Sequence, residues 1–520
     1  MNIKPPLTIH PFLFAAFPVL FLFARNMREL QISVVIIPIT IVLIFTSVVF
    51  VLAKLILKDA LKTAILLSFL LVLFFSYGPF SHIIQDFRLS AGNFVIGPHK
   101  AFLIVGGILF CVGARFIIKT RNSLHNLTKI MNVMASCLIL IPSFSICIDM
   151  YANRRVGIDG RSGTRARTNE MVLGKTTKLP NIYYIILDGY GRADILRDVY
   201  SYDNGEFINY LRQKGFYIAD KSTSNYQSTF ASLSSSLNIS YLDPADGFQA
   251  KKYSNSRVFS MMKQLGYTTV FASSLGWDVR MSNADFNLRI GWVGDFEYKL
   301  IHFTPIPELL RRLQLSLGSY RRHRDGIHFT FDKVTDTTQW NSPVFVYAHI
   351  FSPHPPFVFG PNGENIQPNR KYSVDDAKDF FTEGGTQDEY INGYREQIQY
   401  INKRLITLIN HILSIKDTFS VIILQADHGP RLMADWSNLD RTDLRECYSI
   451  FNAYYLPNNG NKMLYESITP VNTFRLVFNL YFGGSYDLLG DKNYFYNPLL
   501  SPAVIDVTSA IRRKPPPDSD

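Results

Sequence analysis

Four short stretches of the chain carry residue types that can do chemistry. The first is Pro180-Asn-Ile-Tyr-Tyr-Ile-Ile-Leu-Asp188-Gly-Tyr-Gly191, an apolar run that ends in a carboxylate and two glycines. The second is Gln425-Ala-Asp427-His428-Gly429-Pro-Arg431, directly behind the apolar run Phe419–Leu424. Asp and His together are good ligands for zinc, manganese or iron. The third is Ser224-Asn-Tyr-Gln-Ser-Thr229-Phe-Ala-Ser-Leu-Ser-Ser-Ser-Leu237, a small, hydroxyl-rich loop entering a helix. A helix N-terminus offers unpaired N–H groups that suit a phosphate, and a hydroxyl beside a divalent ion can act as nucleophile. Its plainer reading is an N-cap followed by a packed serine-rich helix. The fourth is Tyr347-Ala-His349-Ile-Phe-Ser-Pro-His354-Pro-Pro-Phe357. Two histidines in a proline-stiffened loop can donate a proton, contact phosphate or ligate a metal.

The elements in front of these residues set their position. Short apolar runs read as strands buried on both faces, as in a parallel sheet, and in open α/β sheets ligands sit beyond the carboxyl ends of the strands. Asp188 stands at such an end, although Asp-Gly is also an ordinary turn. Strands are expected over Ile182–Leu187, Thr268–Ala272, Val344–His349 and Phe419–Leu424, and helices over Glu206–Lys214, Ser256–Leu265, Glu389–Leu413 and Val471–Tyr481. This alternation predicts an α/β domain with a mostly parallel sheet covered on both faces.

The first part of the chain is different. Apolar runs at Pro11–Ala24, Ile32–Ala53, Leu61–Phe80, Ala101–Ile118 and Ile130–Ile148 predict about five transmembrane helices. Lys54, Lys58 and Lys62, and then Arg115, Lys119, Arg121 and Lys129, make the second and fourth loops cytoplasmic by the positive-inside rule. An odd number of spans then leaves everything after Ile148 outside: a multi-pass inner-membrane protein with an extracytoplasmic, periplasmic domain. Expected boundaries are 1–150 for the membrane region, 151–179 for a basic linker, 180–505 for the catalytic domain and 506–520 for a disordered tail. The 520 residues carry a formal net charge of +11, part of it flanking the apolar runs. That placement points to anionic lipid headgroups, and no nucleic-acid pattern is present. Three of the four cysteines, Cys111, Cys137 and Cys147, lie in apolar runs and only Cys447 lies in the soluble part, so no disulfide framework within that part is possible. Pro307–Leu317 has leucines at helical spacing, either an interfacial helix or a core-facing one.

The order strand-Asp, hydroxyl loop, His-x4-His loop, strand-Asp-His-Gly resembles the alkaline phosphatase/sulfatase superfamily. With the apolar runs in front, it looks like the membrane-anchored group of lipoteichoic acid synthases and phosphoethanolamine transferases. The resemblance covers roughly Pro180 to Tyr481. It implies an alkaline phosphatase-like α/β/α sandwich behind a transmembrane helical bundle. It also implies one divalent metal ion, zinc or manganese with magnesium as third choice, held by Asp188, Thr229, Asp427 and His428. Thr229 falls on the nucleophile, with Ser228 as the alternative. His349 and His354 fall on the substrate-side histidines, either of them a proton donor, and Arg431 joins them as a substrate contact. The implied activity moves a phospho-headgroup from a membrane phospholipid donor to an envelope glycan or lipid acceptor through a covalent Thr intermediate. A phosphodiesterase or phosphatase using water, and a non-catalytic membrane scaffold, are the alternatives. This chain departs from the group in having Asp188 where Glu is usual and Pro430 and Arg431 where a Glu often follows Asp-His-Gly. It lacks internal disulfides and the sulfatases' Cys-x-Pro-x-Arg-like motif, so sulfate-ester hydrolysis is not implied.

Overall fold

The computed structural model describes residues 6–26, 32–83, 89–91, 94–159, 179–242, 253–274, 281–290, 295–312, 319–341, 343–370, 372–374, 377–415, 419–436, 439–496 and 504–511. The chain forms two compact units, one of Met1–Ala166 with Val293–Leu317, the other of Arg167–Trp292 with Gly318–Asp520.

The first unit is helical: α1 (His10–Asn26), α2 (Ile36–Leu57), α3 (Ala60–Ile83), α4 (Pro98–Lys119) and α5 (His125–Asp159). Four of these, α2 to α5, are long and apolar enough to cross a membrane; α1, at 17 residues, is shorter. The expected five spans therefore become four long ones and one short apolar helix. Helices α2 and α4 turn large side chains outward, among them Ile41, Phe45, Val48, Ile108, Val112 and Phe116. Such a surface is costly in water and matched to lipid. The excursion 293–317 joins this unit through helices Asp295–His302 and Ile306–Arg312. Phe296 and Leu300 bury against Val19, Leu22, Phe23, Val35 and Ile146. Gly78 permits the approach: its N–H donates to Phe303 O at 3.0 Å, and a Cβ there would lie 2.3 Å from His302 O. The leucine-spaced stretch is thus helical to Arg312, with Leu309 exposed; Leu313–Leu317 lie outside the described residues.

The second unit holds one seven-stranded sheet. Its strands are β1 (Asn181–Leu187), β2 (Tyr217–Ile218), β3 (Thr268–Ser273), β4 (Phe286–Arg289), β5 (Val344–Ile350), β6 (Ser420–Gln425) and β7 (Asn452–Tyr455), in the order β2-β7-β6-β1-β5-β3-β4. The five from β6 to β4 run parallel; β7 is antiparallel to both β6 and β2. Alternation places Tyr183, Ile185 and Leu187 in one core and Ile182, Tyr184 and Ile186 in the other, which is why β1 reads as an unbroken apolar run. Three helices matter for the site: α6 (Thr229–Asn238), α7 (Gln387–Ser414) and α8 (Pro470–Phe482). Helix α7 starts with a capping box between Thr386 and Glu389, and α8 ends on Gly483 in the left-handed region.

Two boundaries differ from the sequence reading. Helix α5 continues to Asp159, into the stretch read as linker; 160–178 lie outside the described residues. A strand at Val504–Asp506 and a helix at Thr508–Ile511 fold the chain past the expected start of the tail, with Val507 and Ile511 buried beside Cys447 and Phe495.

Candidate active site

Register brings the chemistry to one rim. Ile186 aligns with His349 of β5 and with Gln425 of β6. The residues at and just beyond these levels, Asp188, His349 and Asp427, therefore come to the carboxyl ends of three adjacent parallel strands. Backbone bonds hold the turns there. Asp188 donates its N–H to Ile350 O at 3.0 Å and accepts the His354 N–H at 3.0 Å. Gly189 takes φ +69° and donates to Asp427 Oδ1 at 3.1 Å. Tyr394 of α7 closes the turn, donating to Gly189 O at 2.7 Å and accepting from Gly191 N–H at 3.0 Å. Gln397, one turn on, donates to His354 O at 3.1 Å and accepts the Val358 N–H at 2.8 Å, so α7 grips both loops.

The side chains converge in a buried site. Asp188, Asp427 and His428 are at most 1% exposed, and His349 and His354 are buried as well. His349 Nε2 lies 3.1 Å from Asp188 Oδ2. His428 Nε2 lies 3.4 Å from Asp188 Oδ1, 3.3 Å from Asp427 Oδ2 and 3.2 Å from Thr229 Oγ1. The ligating atoms of Asp188, His354 and His428 fall within 4.8 Å of one another, as do those of Asp188, His349 and Asp427. Asp188 belongs to both sets.

The donor inventory shows what the cluster needs. His428 Nδ1 donates to Gly429 O at 2.8 Å and His354 Nδ1 to Pro355 O at 2.6 Å. A carbonyl only accepts, so both rings carry a proton on Nδ1, and a ring that is neutral keeps its lone pair on Nε2. Burial, with Arg431's charge adding to it, pushes His428 down to about 3, so its ring stays neutral. Asp188 Oδ1 and Asp427 Oδ2 have no hydrogen-bond partner among the described residues. Two buried carboxylate oxygens and an imidazole lone pair therefore face one another with no proton between them. That arrangement is costly when empty and suited to a divalent cation; the residues present fit the metal that the motifs imply.

Thr229 is the first helical residue of α6, half-buried, with Oγ1 toward His428. Ser228 is the N-cap, its Oγ accepting from Ala231 N–H at 3.4 Å. The neighbouring hydroxyls thus do different things: Ser228 serves the helix terminus and Thr229 faces the cluster. Arg431 reaches the hydroxyl loop, donating from Nη2 to Gln227 O, and lies over the Trp436 ring at 5.6 Å.

Three supporting residues carried no signal in the sequence. Glu446 accepts the Leu432 and Met433 N–H groups at 3.0 and 2.8 Å and the Tyr200 hydroxyl at 2.6 Å. Burial pushes its carboxyl up to about 7. It fixes the chain that follows Arg431. Gln425 ends β6, accepting from Tyr184 OH at 2.6 Å and donating to Thr473 Oγ1 at 3.0 Å and Asn452 Oδ1 at 3.1 Å. His323 contacts Phe351 O through Nε2 at 3.0 Å, and burial lowers it to about 4. Each is one polar residue among many until the fold brings its partners.

No protein-family model matches the chain, and no curated protein matches it. Solved structures resemble it in the arrangement of elements. The zinc-complexed C-terminal periplasmic domain of EptC from Escherichia coli is 12% identical with TM-score 0.43, over 63% of this chain and 92% of that one. The integral membrane lipooligosaccharide phosphoethanolamine transferase A of Neisseria meningitidis is 13% identical with TM-score 0.39, over 91% and 94%. A putative sulfatase from Bacteroides thetaiotaomicron is 11% identical with TM-score 0.40, over 61% and 78%.

Proposed function

We propose that this chain is a membrane-anchored, metal-dependent phosphotransferase. It moves a phospho-headgroup from a membrane phospholipid to an envelope glycan or lipid by way of a phosphothreonine at Thr229. One observation carries the reading: a half-buried hydroxyl at a helix N-terminus lies 3.2 Å from His428, whose neighbours are two carboxylates with unpartnered buried oxygens. Asp188, Asp427, His428 and Thr229 would hold one divalent ion, zinc or manganese. When bound, that ion supplies positive charge that acidifies the Thr229 hydroxyl and offsets charge on the phosphoryl oxygens.

The remaining work falls to the chain itself. Thr229 Oγ1 forms a bond to phosphorus, and the bond from phosphorus to the diacylglycerol oxygen breaks. The leaving oxygen gains a proton, with His354 Nε2 or His349 as donor, equal in number to the one Thr229 gives up. An acceptor hydroxyl then attacks phosphorus, returns a proton, and releases Thr229. The first N–H groups of α6 bind the phosphoryl oxygens, and Arg431 adds charge beside the hydroxyl loop. The basic loops after α2 and α4 hold those ends in the cytoplasm, which sets the sheet domain on the extracytoplasmic side.

The test is product analysis with headgroup-labelled phospholipid and the full-length protein. Wild type is expected to transfer label to a glycan or lipid acceptor, and Thr229→Ala to lose transfer at least 1,000-fold, as removal of a covalent nucleophile does. Label released only as free headgroup phosphate would make the chain a hydrolase. Full turnover by Thr229→Ala would end the covalent reading.

A further inference from the structure

A third imidazole stands behind the two histidines of the His-x4-His loop. His323 belongs to the helix Ser319–Thr337 and is 3% exposed. Its Nε2 lies 3.0 Å from Phe351 O and its Nδ1 lies 3.2 Å from the Tyr372 hydroxyl. A carbonyl only accepts, so Nε2 carries a proton. Burial holds the ring neutral, so Nδ1 keeps its lone pair and accepts from Tyr372. The two partners together fix one tautomer and one ring orientation.

Phe351 is the residue through which His323 reaches the cluster. Its ring centroid lies 4.5 Å from that of His354, 6.4 Å from that of His349 and 5.5 Å from that of His323. One phenyl ring thus packs against three imidazoles. Its backbone is held at both ends: the N–H donates to Ser274 Oγ at 2.7 Å, and the carbonyl accepts from His323. Ser274, just beyond β3, also donates its N–H to His349 O at 3.1 Å. Gly326, one turn beyond His323, lets the helix approach this corner, because a Cβ there would lie 2.0 Å from Ser274 O. The His354 backbone is tied to Asp188 and Gln397, and its Nδ1–H to Pro355 O. What these bonds leave free is the tilt of the ring, and the Phe351 face against it limits that tilt.

We infer that His323 is a positioning residue: by holding Phe351 O it keeps the Phe351 ring wedged between His349 and His354 and so aims the His354 imidazole at the cluster. The inference rests on the transferase reading above, in which His354 or His349 gives the leaving oxygen its proton, and it names the residue that orients that donor. Without His323 the Phe351 carbonyl loses its donor, and the loop can relieve that loss only by moving the wedge.

Three substitutions in the full-length protein in detergent test this. The Gln amide nitrogen reaches the position of Nε2, that of Asn only the position of Nδ1, and Leu offers no donor. With headgroup-labelled phospholipid, His323→Leu and His323→Asn are expected to lower kcat by about tenfold or more at unchanged KM, and His323→Gln to stay within about threefold of wild type. The Nδ1–H resonance of His354, read in ¹⁵N-histidine-labelled protein and assigned by its loss in His354→Gln, should shift in the Leu and Asn variants and not in the Gln variant. Equal kcat in the Asn and Gln variants, a rise in KM without a fall in kcat, or a His354 resonance unmoved by His323→Leu would each overturn the assignment. So would a lower melting temperature in all three variants at wild-type kcat, which marks a purely structural residue. Absence of phospholipid turnover by wild type would end the transferase reading and leave the resonance to decide whether His323 orients His354.

Discussion

The turn after β1 and the turn after β6 deliver a carboxylate to the same rim, and each needs a glycine, but for different reasons. Gly189 stands at φ +69°, where a side chain is strained by its own backbone; the nearest atom a Cβ would meet is His428 Cε1 at an ordinary 3.6 Å. Gly429 has no positive φ. A Cβ there would lie 2.0 Å from Glu446 O and 2.9 Å from Cys447 C, and its N–H donates to Cys447 O at 2.8 Å. The first turn is shaped from within. The second is pressed from outside, by a segment that also clamps Leu432 and Met433 through Glu446. A local rule of glycine conformation accounts for one and a tertiary contact for the other.

Substitutions can separate the two. The largest effect is expected where the turns are equivalent: Asp188→Asn and Asp427→Asn should each lower turnover about 1,000-fold, or about 4 kcal/mol. Both should lose bound metal by elemental analysis while keeping a cooperative melt. Gly429→Ala should come next, losing about 3 kcal/mol of stability in urea titration, because backbone atoms cannot yield to the new methyl. Glu446 sharpens the contrast through pH. Its folded-state carboxyl, held near 7 against 4.5 when unfolded, stabilises the fold most below pH 4.5. That contribution is lost as pH rises toward 7. It amounts to something on the order of 3 kcal/mol, and Glu446→Gln should flatten the slope between those pH values. Gly189→Ala should cost least, about 1.5 kcal/mol from backbone strain, with the metal retained. Equal costs at the two glycines would dissolve the comparison.

Much of this was legible beforehand. Strands β1, β3, β5 and β6 lie within a residue of the expected apolar runs, because a strand covered on both faces leaves no polar interruptions. Asp188, Asp427, His428 and Thr229 were visible as motifs because each follows such a strand or opens a helix. Strand β4 was not, since Phe286-Asn-Leu-Arg289 lies on the sheet edge and is no more apolar than a loop. Helix Ser319–Thr337 was missed because its basic start masks the spacing of Ile327, Phe331 and Val334, which do reach the core. The pairing of the excursion 293–317 with the membrane helices was beyond reach, because Gly78 looks like any glycine in an apolar run until Phe303 lies across it. Glu446 and Gln425 were illegible for the same reason: a buried polar residue is defined by partners far off in the chain.

The two carboxylates stand on neighbouring strands, yet almost half of the polypeptide separates Asp188 from Asp427. An unfinished chain emerging from the ribosome holds one of them without the other, and so cannot form the buried carboxylate pair. The pair is complete only once β6 stands beside β1, so the cluster depends on strand pairing across that long separation.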